Sequence, residues 1–313
     1  MTVALVTGAA GFVAQHLVPV LRKRRFTKVI GVDLRPAADA MYDDAYTADL
    51  SAKPETQRVV ERAAPDVVFH LAGLIRATEE SRIRASNLDT AICLTECVRE
   101  ISPRTRVVLI GSAAEYGEVP LEHQPVDETF PGSPQGVYGK VKAELSGLAL
   151  RMAKEYGLHV VVSRPFNITG PGIPSSLVIG AVIDRLRRAL AAPPPRVIRI
   201  GKTTSIRDFI AVQDVAEGLA LASEFGEPGE AYNLCTGVGT SVGTVLTKLI
   251  SLTGEHIEVE IEPGLVREME TDALVGSWAK AHTKLGWSPR LSLDESLRET
   301  WELTPSAIVG QPV

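Results

Sequence analysis

The chain is short of nearly every pattern that marks a secreted, membrane-bound, metal-dependent or nucleic-acid-binding protein. It has three cysteines, Cys93, Cys97 and Cys235, too few and too irregular for a disulfide framework. The C-x-x-x-C within "ICLTECV" is not zinc-finger spacing, so the three read as reduced core thiols. Its six histidines form no H-E-x-x-H or similar cluster, and no metal site is expected. No apolar run reaches the roughly 18 residues of a spanning helix. The start, "MTVALVTGAAGF", lacks the cationic end and long apolar stretch of a secretory signal. A soluble, cytoplasmic protein without a membrane partner is therefore expected. Positive charge is also in deficit: the formal net charge is −5, which argues against the basic surface of a DNA or RNA binder.

What remains is a globular composition. With 313 residues, 45% of them hydrophobic and 23% charged, the chain can bury a full core as one large domain or two unequal ones. In the first 165 residues short β-branched runs alternate with helical stretches. "VALVTG" (3–8), "KVIGVD" (28–33), "DVVFHLA" (66–72), "RVVLIGS" (106–112) and "HVVVSRP" (159–165) are apolar without strict alternation, as strands covered on both faces should be. Between them "AAGFVAQHLVPVLRKRR" and "KPETQRVVERAAP" carry apolar residues at helical spacing. The order predicts an α/β protein with a doubly wound (Rossmann) parallel sheet. After "RPFNITGPGIP" (164–174) the rhythm breaks, and the proline-rich "AAPPPR" follows a helical stretch. This predicts a smaller interleaved α/β lobe that binds substrate. The expected division is 1–165 plus about 206–233 for the dinucleotide-binding part, and about 166–205 plus 234–313 for the lobe.

"TGAAGFVAQHL" joins the first strand to the first helix, with Gly8 and Gly11 at the turn and Ala14 where a third small residue is needed. Small residues let the backbone approach a pyrophosphate, and the helix N-terminus offers N–H groups to its oxygens. Asp33 ends the second strand, where a carboxylate can bond the adenosine ribose diol and repel a 2′-phosphate. NAD(H) is thus favoured, while Arg35 two residues on leaves NADP(H) open. Asp49 in "TADL" is a weaker candidate for an adenine contact.

"GVYGKVK" (136–142) places Tyr138 four residues before Lys142, on one helix face. A nearby ammonium stabilises a phenolate, so the lysine is expected to bring the phenol toward a working pKa. The preceding strand runs into "LIGSAAEYG" and delivers Ser112 to the same sheet edge, where its hydroxyl can bond a carbonyl or alkoxide. Ser112, Tyr138 and Lys142 are the expected catalytic set.

"TGAAGF", "PDVVFHLAG", Asn87, "GSAAEYG", "YGKVK" and "RPFNITGPG" together resemble the extended short-chain dehydrogenase/reductases that modify nucleotide-sugars. The second half, with "SIRDFIAVQDVAEGL", "AYNLCTG" and "LVREMETDALVGSWAKAHTKLGWSP", is most similar to GDP-4-keto-6-deoxy-mannose reductases and their relatives, among them NDP-sugar epimerases. The resemblance implies cofactor contacts from Gly8, Gly11, Phe12, Val13, Asp33, Asp49, Leu50, Leu71, Ala72, Gly73, Tyr138, Lys142 and Pro165. It implies substrate contacts from Ser112, Asn167, Arg207, Arg267 and Glu270, a nucleotide-diphosphate sugar as ligand, and a homodimer built on helices near 88–101 and 138–156. Arg207 and Arg267 suit phosphate oxygens as forked donors, or instead pair with carboxylates such as Asp208 and Asp272. Asp214 is expected to cap the helix that follows it.

Sugar 4,6-dehydratases of this family resemble a pattern with an acid and a glutamate base before "xYG", where this chain has Ala113 and Ala114. Alanine moves no proton, so dehydration is disfavoured. Ketoreduction at C4 of an NDP-4-keto-6-deoxyhexose is the favoured reading, a 4-epimerase using bound NAD the alternative, and a non-catalytic dinucleotide sensor the second alternative. Leu74 and Ile75 stand where many relatives have polar residues, either as an apolar wall for a deoxy-sugar or as core. "SNLDTA" departs from the usual Asn-x-x-Gly-Thr run at Asn87, which weakens that residue's family role of supporting the helix and its water.

Overall fold

The computed structural model describes residues 2–304 except 25, 38, 263 and 265–271. The first strands and helices run β1 (Val3–Thr7), α1 (Phe12–Lys23), β2 (Lys28–Asp33), β3 (Asp44–Thr47), α2 (Lys53–Ala63), β4 (Val67–His70), α3 (Glu80–Arg84) and α4 (Thr90–Ile101). They continue as β5 (Arg106–Ile110), α5 (Gly136–Tyr156) and β6 (Val160–Pro165). Six of these strands and a later one, β10 (Ala231–Leu234), form a parallel sheet in the order β10-β6-β5-β4-β1-β2-β3.

The sheet is apolar on both sides, which is why its strands do not alternate in sequence. Ala4, Val6 and Val108 pack with Leu17 and Leu21 of α1 on one face, while Leu5, Val107 and Leu109 pack with Val59, Leu94 and Leu145 of α2, α4 and α5 on the other. Each fully buried leucine contributes about 1.5–3 kcal/mol of transfer free energy. These two apolar layers fix the sheet between its helices.

The second part contains β7 (Asn167–Thr169), α6 (Val178–Ala191), β8 (Val197–Ile200), β9 (Ile206–Ala211), α7 (Val212–Phe225), β11 (Gly239–Ser241), α8 (Val242–Thr253), β12 (Glu258–Ile261), β13 (Ala273–Leu274), α9 (Ala279–Leu285) and α10 (Leu293–Leu303). β9 pairs with β7, β11 and β13, and β8 pairs with β12. Ile183, Leu186, Leu246, Leu249 and Leu297 form a separate core beneath them. The strand at 206–211 thus bonds to β7, β11 and β13 and to no strand of the large sheet. Of the expected return segment, α7 and the start of β10 lie with the large sheet. No helix among the described residues is long and apolar enough to cross a membrane.

Candidate active site

β1 delivers the glycine turn. Gly8 has φ +66°, and a Cβ there would lie 2.8 Å from the Ala72 nitrogen and 2.9 Å from the Leu71 carbonyl carbon, so only glycine lets this turn meet the end of β4. Gly11 donates to the Gly8 carbonyl at 2.8 Å and begins α1 with no side-chain cap, which leaves its first-turn amides for an anion. The Asp33 carboxylate accepts from Ala10 N at 3.0 Å and Arg35 N at 3.1 Å, and so stands over the same turn. This cradle, with a carboxylate beside it, fits a dinucleotide. Asp49 is engaged by Ser51 N and Oγ at 2.9 and 2.7 Å, and the Leu50 side chain is core.

β5 delivers Ser112. Its Oγ accepts from Ala114 N at 3.1 Å, and Glu115 returns the contact by accepting from Ser112 N at 2.9 Å, a capping box on a single 3-10 turn. Tyr138 and Lys142 face this turn from α5. Lys142 is buried, donates to the Ile110 carbonyl at 2.8 Å, and holds Nζ 5.7 Å from the centre of the Tyr138 ring.

The electrostatics differ from the sequence expectation. Burial pushes the Tyr138 phenol up to about 12; the Ser112 hydroxyl beside it opposes this and the Glu115 charge adds to it. Burial likewise pushes Lys142 down to about 8, with Glu115 acting against the fall. At Tyr138 desolvation outweighs the hydrogen bond from Ser112.

Leu74 and Ile75 are 38% and 39% exposed, which removes them from the core. Asn87 lies in a π-helical turn (Ala85–Asp89) and donates to the carbonyls of Leu74 and Ile83 at 2.8 and 2.9 Å, fixing this loop. Asn167 donates to the Asp208 carbonyl at 3.1 Å and joins β7 to β9. Arg207 lies next along β9, with Nη1 on the Ile206 carbonyl at 2.8 Å. The Asp208 carboxylate accepts instead from Thr236 N and Oγ1 and Gly237 N, at 2.7–2.8 Å, while Asp272 accepts from Lys202. Asp214 does not cap α7: it accepts from Arg290 N and Leu291 N, both at 3.0 Å, because its side chain turns toward the loop before α10. Arg267 and Glu270 lie outside the described residues.

A model of the NAD dependent epimerase/dehydratase family matches residues 4–235, from the glycine turn through the last strand of the large sheet. The chain belongs to that family.

Among its relatives in the epimerase/dehydratase family is the GDP-6-deoxy-D-mannose reductase of Pseudomonas aeruginosa, 28% identical over 95% of this chain and 96% of the relative. The Thermus thermophilus UDP-glucose 4-epimerase in complex with NAD has a TM-score of 0.85 at 27% identity, covering 97% of this chain and 99% of that one. RMD of Pseudomonas aeruginosa complexed with NADPH has a TM-score of 0.82 at 25% identity, covering 96% and 98%. The fold and family implied by the motifs are those found.

Sequence reasoning missed three groups around this family site. Tyr42 donates to the Ala9 carbonyl at 2.8 Å and props the glycine turn from β3's side. His70, neutral because burial pushes its pKa down to about 3, bridges Thr7 at 2.9 Å and Thr90 at 3.4 Å. Thr90 gives its one proton to the Ser86 carbonyl, so His70 donates through Nε2 and accepts from Thr7 through Nδ1. Glu115 was overlooked although S-x-x-E is a capping-box signature readable in "SAAE".

Proposed function

We propose that this protein is an NAD(P)-dependent reductase of a nucleotide-linked 4-keto-6-deoxyhexose, with NAD(H) preferred because of Asp33. One observation supports the reading: Ser112, Tyr138 and Lys142 gather at the end of β5, two strands along the sheet from the glycine turn that follows β1, while Ala113 and Ala114 occupy the positions a dehydratase needs for proton transfer.

A reduced nicotinamide, when bound, supplies the hydride for C4. The chain supplies the rest. Ser112 donates to the C4 oxygen and stabilises charge as it grows there; Tyr138 gives that oxygen its proton. Lys142, anchored on Ile110, keeps a positive charge beside the phenol and so stabilises the phenolate left behind. Leu74 and Ile75 present an apolar face that matches a methyl group better than a hydroxymethyl. Arg207 stands on the lobe side as a donor for the diphosphate.

The test is to mix the protein with NADH and 4-keto-6-deoxy sugars linked to GDP, dTDP and UDP. Cofactor oxidation with at least one is expected, abolished in Tyr138→Phe with dinucleotide binding kept. No oxidation with any of the three removes the reading. A 4-epimerase is the second reading, favoured by the NAD-bound epimerase that this chain matches along its length. It predicts exchange of C4 epimers without net cofactor use.

A further inference from the structure

Behind Ser112 lies a buried carboxylate that the catalytic reading does not use. Glu115 accepts from Ser112 N at 2.9 Å through Oε1, and from Arg164 Nε at 2.8 Å and Ser146 Oγ at 2.6 Å through Oε2. Three donors converge on two oxygens, the pattern of an acceptor-only carboxylate. The donors come from three elements: the serine turn, β6 and α5, where Ser146 lies one turn beyond Lys142. The side chains of Glu115 and Arg164 are 3% and 14% exposed, so the pair is held with little help from water. Gly111 makes room for it, since a Cβ there would come within 2.5 Å of Glu115 Oε1.

We infer that Glu115 is the positioning residue that ties Ser112 to α5 and keeps one negative charge behind the Tyr138–Lys142 pair. The inference rests on reading Ser112, Tyr138 and Lys142 as the reacting set. It goes further by assigning their alignment to one side chain outside that set. The ionisable groups facing Lys142 are Tyr138 on its own helix, His70 from β4 and Glu115 from the serine turn, with Arg164 of β6 behind Glu115. Glu115 is the anion among them, and its charge favours the protonated lysine.

Lys142 reports this charge within a mild pH range. Carbon-13 labelled lysine in the full-length protein gives a titration for each side chain by NMR, and the signal lost in Lys142→Met assigns the one needed. In Glu115→Gln, which keeps shape and an acceptor but no charge, the Lys142 midpoint should fall by about half a unit or more. Because that variant strands a buried Arg164, Glu115→Gln with Arg164→Gln is the second arm. Removing both charges together protects folding, and a smaller fall is expected, because loss of the more distant Arg164 cation offsets part of it. An unchanged or raised midpoint in a folded variant of either kind overturns the inference, even if melting temperature drops. The two claims fail separately: turnover unaffected by Tyr138→Phe defeats the catalytic reading and leaves the titration standing.

Discussion

Lys142 sits one helical turn from Tyr138 with its Nζ 5.7 Å from the ring centre, yet its own hydrogen bond goes to the Ile110 carbonyl. The lysine is therefore an electrostatic neighbour anchored to β5, and it carries a burial cost that is measurable.

Folding lowers Lys142 from 10.5 to about 8. Between those values the unfolded chain binds more protons than the folded one, so stability rises with pH across the window and the full penalty applies below it. Lys142→Met should thus raise the melting temperature at pH 7. The gain is on the order of 2 kcal/mol once loss of the Ile110 bond is set against it. Calorimetry at neutral pH and near the top of the window should show the gap to wild type closing.

Gly8→Ala meets a different obstacle. The positive φ and the approach of 2.8 Å to Ala72 N leave a methyl nowhere to go, so the variant should lose about 2 kcal/mol or more of stability and most of its dinucleotide affinity. Chemical denaturation and cofactor titration check the two effects.

Asp33→Ser removes the carboxylate over the turn while keeping a short polar group. The preference for NADH over NADPH should narrow about tenfold, the equivalent of one charge repulsion of moderate strength. Binding curves for both cofactors decide it; an unchanged ratio would assign selectivity elsewhere.

Leu74→Ser and Ile75→Ser should each change stability by less than about 0.5 kcal/mol, because both residues are already exposed. Core leucines cost about 2–5 kcal/mol on truncation. If the pair forms a sugar-facing wall, KM for a deoxy-sugar substrate rises while melting is unmoved.

The local parts of this molecule were readable from its sequence. Strands covered on both faces leave continuous apolar runs, and Ser112, Tyr138 and Lys142 lie in short motifs whose geometry follows from one turn and one helix. The partners of β9 were not readable, since "IRDFIA" is as apolar as a strand of the large sheet and its bonds to β7, β11 and β13 are all between distant stretches of chain. Asp214 was misjudged for a related reason: its partners, Arg290 and Leu291, lie far along the chain. The Tyr138 environment failed on direction, because desolvation depends on the packing around α5 and no motif encodes it.

The edge position of β10 bears on biosynthesis. That strand is the last of its sheet in the chain, and it docks against β6 only after the whole of α6 through α7 has left the ribosome. Until then β6 presents a naked border of backbone donors and acceptors, open to any extended peptide. Translation must therefore run past residue 234 before the nucleotide-holding half is sealed, and a gene fragment stopped earlier yields an unfinished sheet prone to sticking.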